Sequence, residues 1–106
     1  MLKNNKKIGN FGEDMACEYL EKNNYKILKR NFFSKFGEID IIAIKNKEYI
    51  FFEVKTRSNI NYGFPAEAVN LSKKKHLINT AKVYIHFNHL EDESIRFDII
   101  EIYVKE

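Results

Sequence analysis

Two strand-length runs, Glu38–Ile44 and Tyr49–Lys55, are separated only by the polar stretch Lys45-Asn46-Lys47-Glu48, and this pattern constrains the fold more than any other feature of the chain. Apolar runs this short and this close together pair as a hairpin. In the first run Ile39, Ile41 and Ala43 alternate with Ile42 and Ile44, so both faces of the strand are apolar. A strand of that kind sits in the middle of a sheet and needs cover on both sides.

The rest of the chain supplies neighbours and cover. Phe11, Met15, Ala16, Tyr19 and Leu20 recur at helical spacing and predict a helix over Phe11–Asn23, ended by Asn23-Asn24. Tyr25–Phe33 alternates and is rich in strand formers, and Ser34–Gly37 turns the chain. Arg57–Pro65 reads as a loop, and Ala66–Leu71 as a short helical stretch. Ser72 is placed to cap a helix carrying Leu77, Ile78, Ala81, Tyr84 and Ile85. Ser94–Val104 alternates as a last strand. The order is α-β-β-β-α-β. Three antiparallel strands followed by a helix and a strand imply one crossover, with the last strand parallel to the third in a mixed four-stranded sheet flanked by helices. The expectation is one α/β domain over residues 1–106, with residues 1–8 as a flexible basic tail.

Several function classes fall away. The longest apolar runs are far shorter than the roughly 20 residues of a membrane span. The start of the chain has charge but no apolar stretch of signal-peptide length, so the expected location is the cytoplasm. The single cysteine, Cys17, cannot form an internal disulfide and reads as a small core residue. His76, His86 and His89 lack zinc or triad spacing. A net charge of +3 says little, but its distribution says more: residues 91–106 carry −4 and residues 1–90 carry +7. A homodimer is compatible with the sequence and not inferable from it.

Charges that interrupt the strands are the informative residues. Asp40 breaks the first run of the hairpin, and Glu53 and Lys55 break the second on one shared face. A turn centred on Asn46-Lys47 sets Asp40 opposite Glu53 and Glu38 opposite Lys55. Opposed residues have Cβ atoms about 4.5–5.5 Å apart, and like charges so placed repel. Two converging carboxylates suit Mg²⁺ or Mn²⁺, which take oxygen ligands, while a lysine two residues on can stabilise charge on a phosphate or orient water. That chemistry is metal-assisted phosphodiester hydrolysis. The alternative is a structural Glu38–Lys55 ion pair beside two acids at the strand ends.

Glu13 lies at the border of the apolar face of the first helix, from which a carboxylate reaches over the sheet edge. A first-turn glutamate also simply favours the helix dipole. Lys73 and Lys74, at the start of the second long helix, read either as an ordinary exposed lysine run or as phosphate contacts approaching the same site as Lys55. Arg30 and Arg57 belong to the same basic segments.

The residues then carry a resemblance. Gly12-Glu13 with Ala16 and Tyr19-Leu20, Arg30-Asn31, Gly37-Glu38-Ile39-Asp40, Phe52-Glu53-Val54-Lys55-Thr56-Arg57, Gly63-Phe64-Pro65-Ala66-Glu67-Ala68-Val69 and Arg96-Phe97-Asp98 together resemble the bacterial YraN-like family. That family is similar to the PD-(D/E)XK nuclease superfamily, including archaeal Holliday-junction resolvases and restriction endonucleases. The resemblance implies a restriction-endonuclease-like core. It places the metal-binding Asp on Asp40, the E-x-K pair on Glu53 and Lys55, and the first-helix glutamate on Glu13; Ile39 stands where the superfamily has proline, and Glu38, set opposite Lys55 by the register rather than by the resemblance, is a candidate support. It also implies a Mg²⁺- or Mn²⁺-dependent endonuclease acting on DNA, including branched or damaged DNA. A non-cleaving nucleic-acid-binding or interaction protein on the same scaffold is the competing expectation.

Overall fold

The computed structural model describes residues 5–57 and 71–104, with the side chains of residues 5–9 outside the description. The elements are α1 (Asn5–Lys22), β1 (Lys26–Ser34), β2 (Gly37–Lys45), β3 (Glu48–Arg57), α2 (Leu71–Phe87) and β4 (Ser94–Tyr103). They build a single small α/β domain around one sheet of order β1-β2-β3-β4. The first three strands are antiparallel neighbours and β4 runs parallel to β3, as the crossover requires. Among the described residues no helix is long and apolar enough to cross a membrane.

Local chemistry explains the boundaries. Asn46 and Lys47 both have positive φ (51° and 65°), as a two-residue type I′ turn demands, and this fixes the β2–β3 register at Lys45–Glu48 through Ile41–Phe52. Helix α1 ends on Asn24 (φ 69°), with Tyr25 N–H donating to the Leu20 carbonyl and Asn24 N–H to that of Glu21. Helix α2 ends in the same way on His89 (φ 56°), with Leu90 N–H on the Ile85 carbonyl. Both are left-handed caps of the Schellman type, which satisfy carbonyls the helix would otherwise leave open.

The two sheet faces hold separate cores. On one, Ala16, Cys17 and Leu20 of α1 pack on Ile41, Ala43, Ile50 and Phe52, with Ile100 and Ile102 of β4 alongside. On the other, Ala81 of α2 packs with Ile39, Ile42 and Phe51, joined by Leu28, Phe32, Tyr84 and Ile95. Tyr84 meets the edges of Phe32 (5.2 Å) and Phe51 (5.9 Å), and Phe51 stacks on Phe97 (5.4 Å).

Five local expectations are corrected. Helix α1 starts at Asn5, so residues 5–8 are helical rather than tail, which follows from the absence of any strong breaker around Lys6 and Lys7. Phe11, Met15 and Tyr19 are exposed, and the face on the sheet is Gly12, Ala16 and Leu20, small residues that let the helix come close. Ser72 lies inside α2 rather than capping it. Ile39 does not share a face with Ile41 and Ala43. The β2–β3 ladder stops at Ile41–Phe52, so neither Asp40–Glu53 nor Glu38–Lys55 is a ladder pair. The expected loop after Arg57, the helical stretch from Ala66 and the Gly63–Val69 motif lie outside the described residues.

Candidate active site

Regular alternation puts residues i and i+2 of a strand on one face. At one level of this sheet two neighbouring strands break that rule together. Arg30 of β1 reaches α1, whereas Phe32 packs on the α2 side. Opposite them, Ile41 of β2 belongs to the α1 core and Ile39 to the α2 core. Between the members of each pair lie Asn31, with φ of 54°, and Asp40. Left-handed backbone is uncommon outside glycine and best tolerated by Asn and Asp, which explains an asparagine in a run of strand formers.

This switch frees Asp40 from either core. Its Oδ2 accepts a hydrogen bond from Val54 N–H at 2.8 Å, the role a carbonyl would play if the ladder continued. β3 keeps its pairing with β4 through Arg57 and carries Glu53 and Lys55 past the point where β2 departs. Glu53 is 8% exposed. Its Oε1 lies 3.5 Å from Lys55 Nζ and 2.7 Å from Lys73 Nζ, so α2 does bring Lys73 to the site.

Glu13 arrives from α1. Gly12 makes this possible, because a Cβ there would collide with Thr56 Oγ1 of β3. With its amide nitrogen turned toward them, Asn31 donates to Glu13 Oε1 at 3.1 Å and to Glu38 Oε2 at 3.3 Å. Glu13, Asn31, Glu38, Asp40, Glu53, Lys55 and Lys73 thus converge at the splayed end of the β2–β3 hairpin. Sequence reasoning assigned no role to Asn31; the available signal was a turn-forming residue inside a strand pattern.

Electrostatics follow from this crowding. Burial, and then the charges of Glu53, Glu13 and Glu38, push the Asp40 carboxyl up to about 7 against the opposing Val54 hydrogen bond. Glu38 is raised by burial and by Glu13 and Glu53. Burial and the neighbouring Lys73 lower Lys55, with Glu53 opposing. Lys73 moves the other way: burial pulls it down, but its contacts with Glu53 and Lys55 and the charges of Glu53 and Asp40 outweigh that.

The remaining basic candidates divide. Arg30 is engaged on α1, with Nη2 2.9 Å from Asp14 and 3.5 Å from Glu13, where it flanks the acidic group rather than extending into solvent. Arg57 closes β3 opposite Tyr103, and its carbonyl accepts the Val104 N–H. Lys74 is exposed and lines, with Glu53, Ile39, Leu77, Phe97 and Ile99, a largely apolar groove of about 280 Å³ between α2 and β4. Cys17 is buried in the α1 core, and burial raises its thiol.

Among the described residues no cluster of three or more His, Cys, Asp or Glu stands in ready metal-ligating geometry. The donor set still fits a hard divalent cation. Asp40 and Glu53 present oxygen, the donor type that a metal such as Mg²⁺ takes, and water or phosphate oxygen would fill its remaining positions; the charge of Glu53 is met here by Lys55 and Lys73.

Comparison with known proteins agrees with the sequence pattern. The profile of the Uncharacterised protein family UPF0102 matches residues 12–102, which include the Asp40, Glu53 and Lys55 positions. The chain is similar to the UPF0102 protein of Clostridium botulinum strain Alaska E43, at 49% identity over 98% of this chain and 85% of the relative. It is similar to that of Clostridioides difficile strain 630, at 50% identity over 97% of this chain and 90% of the relative. The UPF0102 protein of Caldanaerobacter subterraneus subsp. tengcongensis is 46% identical over 95% of this chain and 83% of its own length. On that match and those identities the chain belongs to the UPF0102, or YraN-like, family.

Proposed function

We propose that this protein is a Mg²⁺- or Mn²⁺-dependent endonuclease that hydrolyses DNA phosphodiester bonds in the cytoplasm. The observation that supports the reading best is the convergence of Asp40, Glu53 and Lys55 where β2 leaves β3, with Glu13 and Glu38 alongside. A structural ion pair would not need so many acids near one spot, nor the loss of ladder pairing that Asp40 entails.

In this reading Asp40 and Glu53 would hold the metal, and the chemistry it would supply is Lewis-acid polarisation of the scissile phosphate and activation of water. The protein's own groups do the rest. The Val54 hydrogen bond fixes the Asp40 carboxylate. Lys55, two residues from Glu53 and only 18% exposed at its side chain, is held where charge develops on the phosphate or where the attacking water is oriented. Glu13 and Glu38, tied together by Asn31, form the outer acidic wall. Lys73 and Lys74 meet the phosphates of the substrate on the α2 side.

A second reading, a nucleic-acid-binding protein that does not cut, draws on Glu53 being neutralised by two lysines already. Purified protein incubated with linear, nicked, flapped and four-way-junction DNA in Mg²⁺ or Mn²⁺ separates the two. Metal-dependent cleavage of any of these supports the enzyme. Binding without cleavage across the whole panel rejects it.

A further inference from the structure

We propose that Lys73 is a tethered cation that occupies the metal's place at Glu53 in the metal-free protein and is displaced to the substrate phosphate when metal binds. The proposal rests on the reading of Glu53 as a metal ligand and adds an exchange to it.

Glu53 has two ammonium partners, and they are not equivalent. Lys55 stands on the same strand, 3.5 Å away, with its side chain only 18% exposed. Lys73 comes from a different element, lies at 2.7 Å and keeps 39% of its side chain exposed. The closer contact is therefore made by the side chain with room to leave. Glu53 itself is nearly buried, and a buried carboxylate without a counter-charge is costly, so some cation must stand there before a metal does. A divalent ion ligated by this carboxylate would stand within a few ångströms of both ammoniums, and like charges that close in a partly buried site repel strongly. Lys55 is held by its strand, so metal entry drives out the more exposed Lys73.

Where Lys73 goes is set by α2. The residue lies in the first turn of that helix, beside exposed Lys74, so its flexible stem swings outward on the side where the proposed substrate's phosphates lie. Metal loading would then release a phosphate-binding charge at the same moment that it creates the metal site. An empty site is self-neutralised, and a loaded one turns a cation toward the phosphate.

The test is Mn²⁺ titration by calorimetry, which needs no turnover, on wild type and on Lys73→Met, Lys73→Arg and Lys75→Met. Lys75 is exposed on the same helix turn and controls for the loss of one positive charge. Lys73→Met is expected to bind Mn²⁺ roughly tenfold more tightly, since a charge-assisted hydrogen bond no longer has to be broken. Lys75→Met should stay within about twofold of wild type, as a screened surface charge does. Lys73→Arg should bind no tighter than wild type, because the guanidinium keeps the competitor in place. Circular dichroism of each variant checks folding, and Lys73→Arg keeps the comparison informative should Lys73→Met unfold: an arginine variant that binds metal more tightly overturns the proposal. Equal or weaker Mn²⁺ binding by folded Lys73→Met, with wild type binding metal and cutting DNA, overturns the exchange and leaves the nuclease reading standing. No Mn²⁺ binding by any of the proteins overturns both.

Discussion

The Asp40 carboxylate accepts the Val54 backbone hydrogen bond at 2.8 Å one residue beyond the last ladder pair between β2 and β3. A side chain has replaced a carbonyl in the sheet, and the strand that carries it is released to leave. This one bond both ends the hairpin and fixes an acid among other acids, so the fold and the candidate site meet at it.

A pH dependence follows. The Asp40 carboxyl sits at about 7 in the folded protein, above its ordinary 3.8. Between these values the folded state holds a proton that the unfolded state has lost, so stability falls as pH rises from about 4 to 7 and is flat above. Asp40→Asn keeps an acceptor for Val54 N–H and removes the charge. It should therefore unfold at a higher temperature than wild type at pH 8, with the advantage shrinking toward pH 4, while its Mn²⁺ affinity drops. Wild-type Mn²⁺ binding should release a proton below pH 7 and tighten as pH rises through 7. Thermal melts across pH and calorimetry in buffers of different ionisation enthalpy check both.

The hairpin register was legible because the polar break holds an even number of residues and Asn46 suits a left-handed turn. The convergence of Asp40, Glu53 and Lys55 followed from that register, although the ladder itself does not reach them. What stayed hidden was the end of regularity. Alternation assumes an unbroken pleat, and Asn31 and Asp40 break it on both strands at once, sending Ile39 to the face opposite Ile41. Helix α1 misled for a different reason. Hydrophobic periodicity favours Phe11, Met15 and Tyr19, but close approach to the sheet selects Gly12 and Ala16 for their small size.

Gly12 should tolerate substitution poorly. Adding a methyl group places it on Thr56 Oγ1, with Thr56 Cβ and Cγ2 also within 3.2 Å, and a β-branched side chain on a strand has little freedom to turn away. The gain in helix propensity, about 1 kcal/mol, is set against an overpacking cost of about 1–3 kcal/mol. Gly12→Ala is expected to lower the urea midpoint, and Thr56→Ala to restore it in the double variant. A fully additive cycle would show that the two residues do not meet.

The turn offers a gain. Lys47 has φ of 65°, a conformation glycine adopts without steric cost. Lys47→Gly creates the Asn-Gly pair that type I′ turns favour. The relief of strain exceeds the extra chain entropy of glycine in the unfolded state, and a net stabilisation of about 0.5–1 kcal/mol is expected, read as a higher urea midpoint with an unchanged slope. The turn lies at the far end of the hairpin from Asp40, so activity should not change.

Lys55 separates cutting from holding. Its ammonium is 3.5 Å from Glu53, and its side chain is mostly buried on the part of β3 that pairs with β4 alone; in the proposed nuclease it would face the reacting phosphate more than the length of a DNA duplex. A group whose contribution is made in the transition state lowers the rate when removed without lowering substrate affinity equally. Lys55→Ala should therefore reduce single-turnover cleavage by roughly 10²–10³-fold while DNA binding in Mn²⁺ changes less than about threefold. Lys74→Glu should do the reverse, weakening DNA binding and flattening its dependence on salt by the loss of a phosphate contact. Measuring rate and affinity for both variants on one substrate decides the assignment: equal losses of rate and affinity in Lys55→Ala would reduce it to one phosphate contact among several.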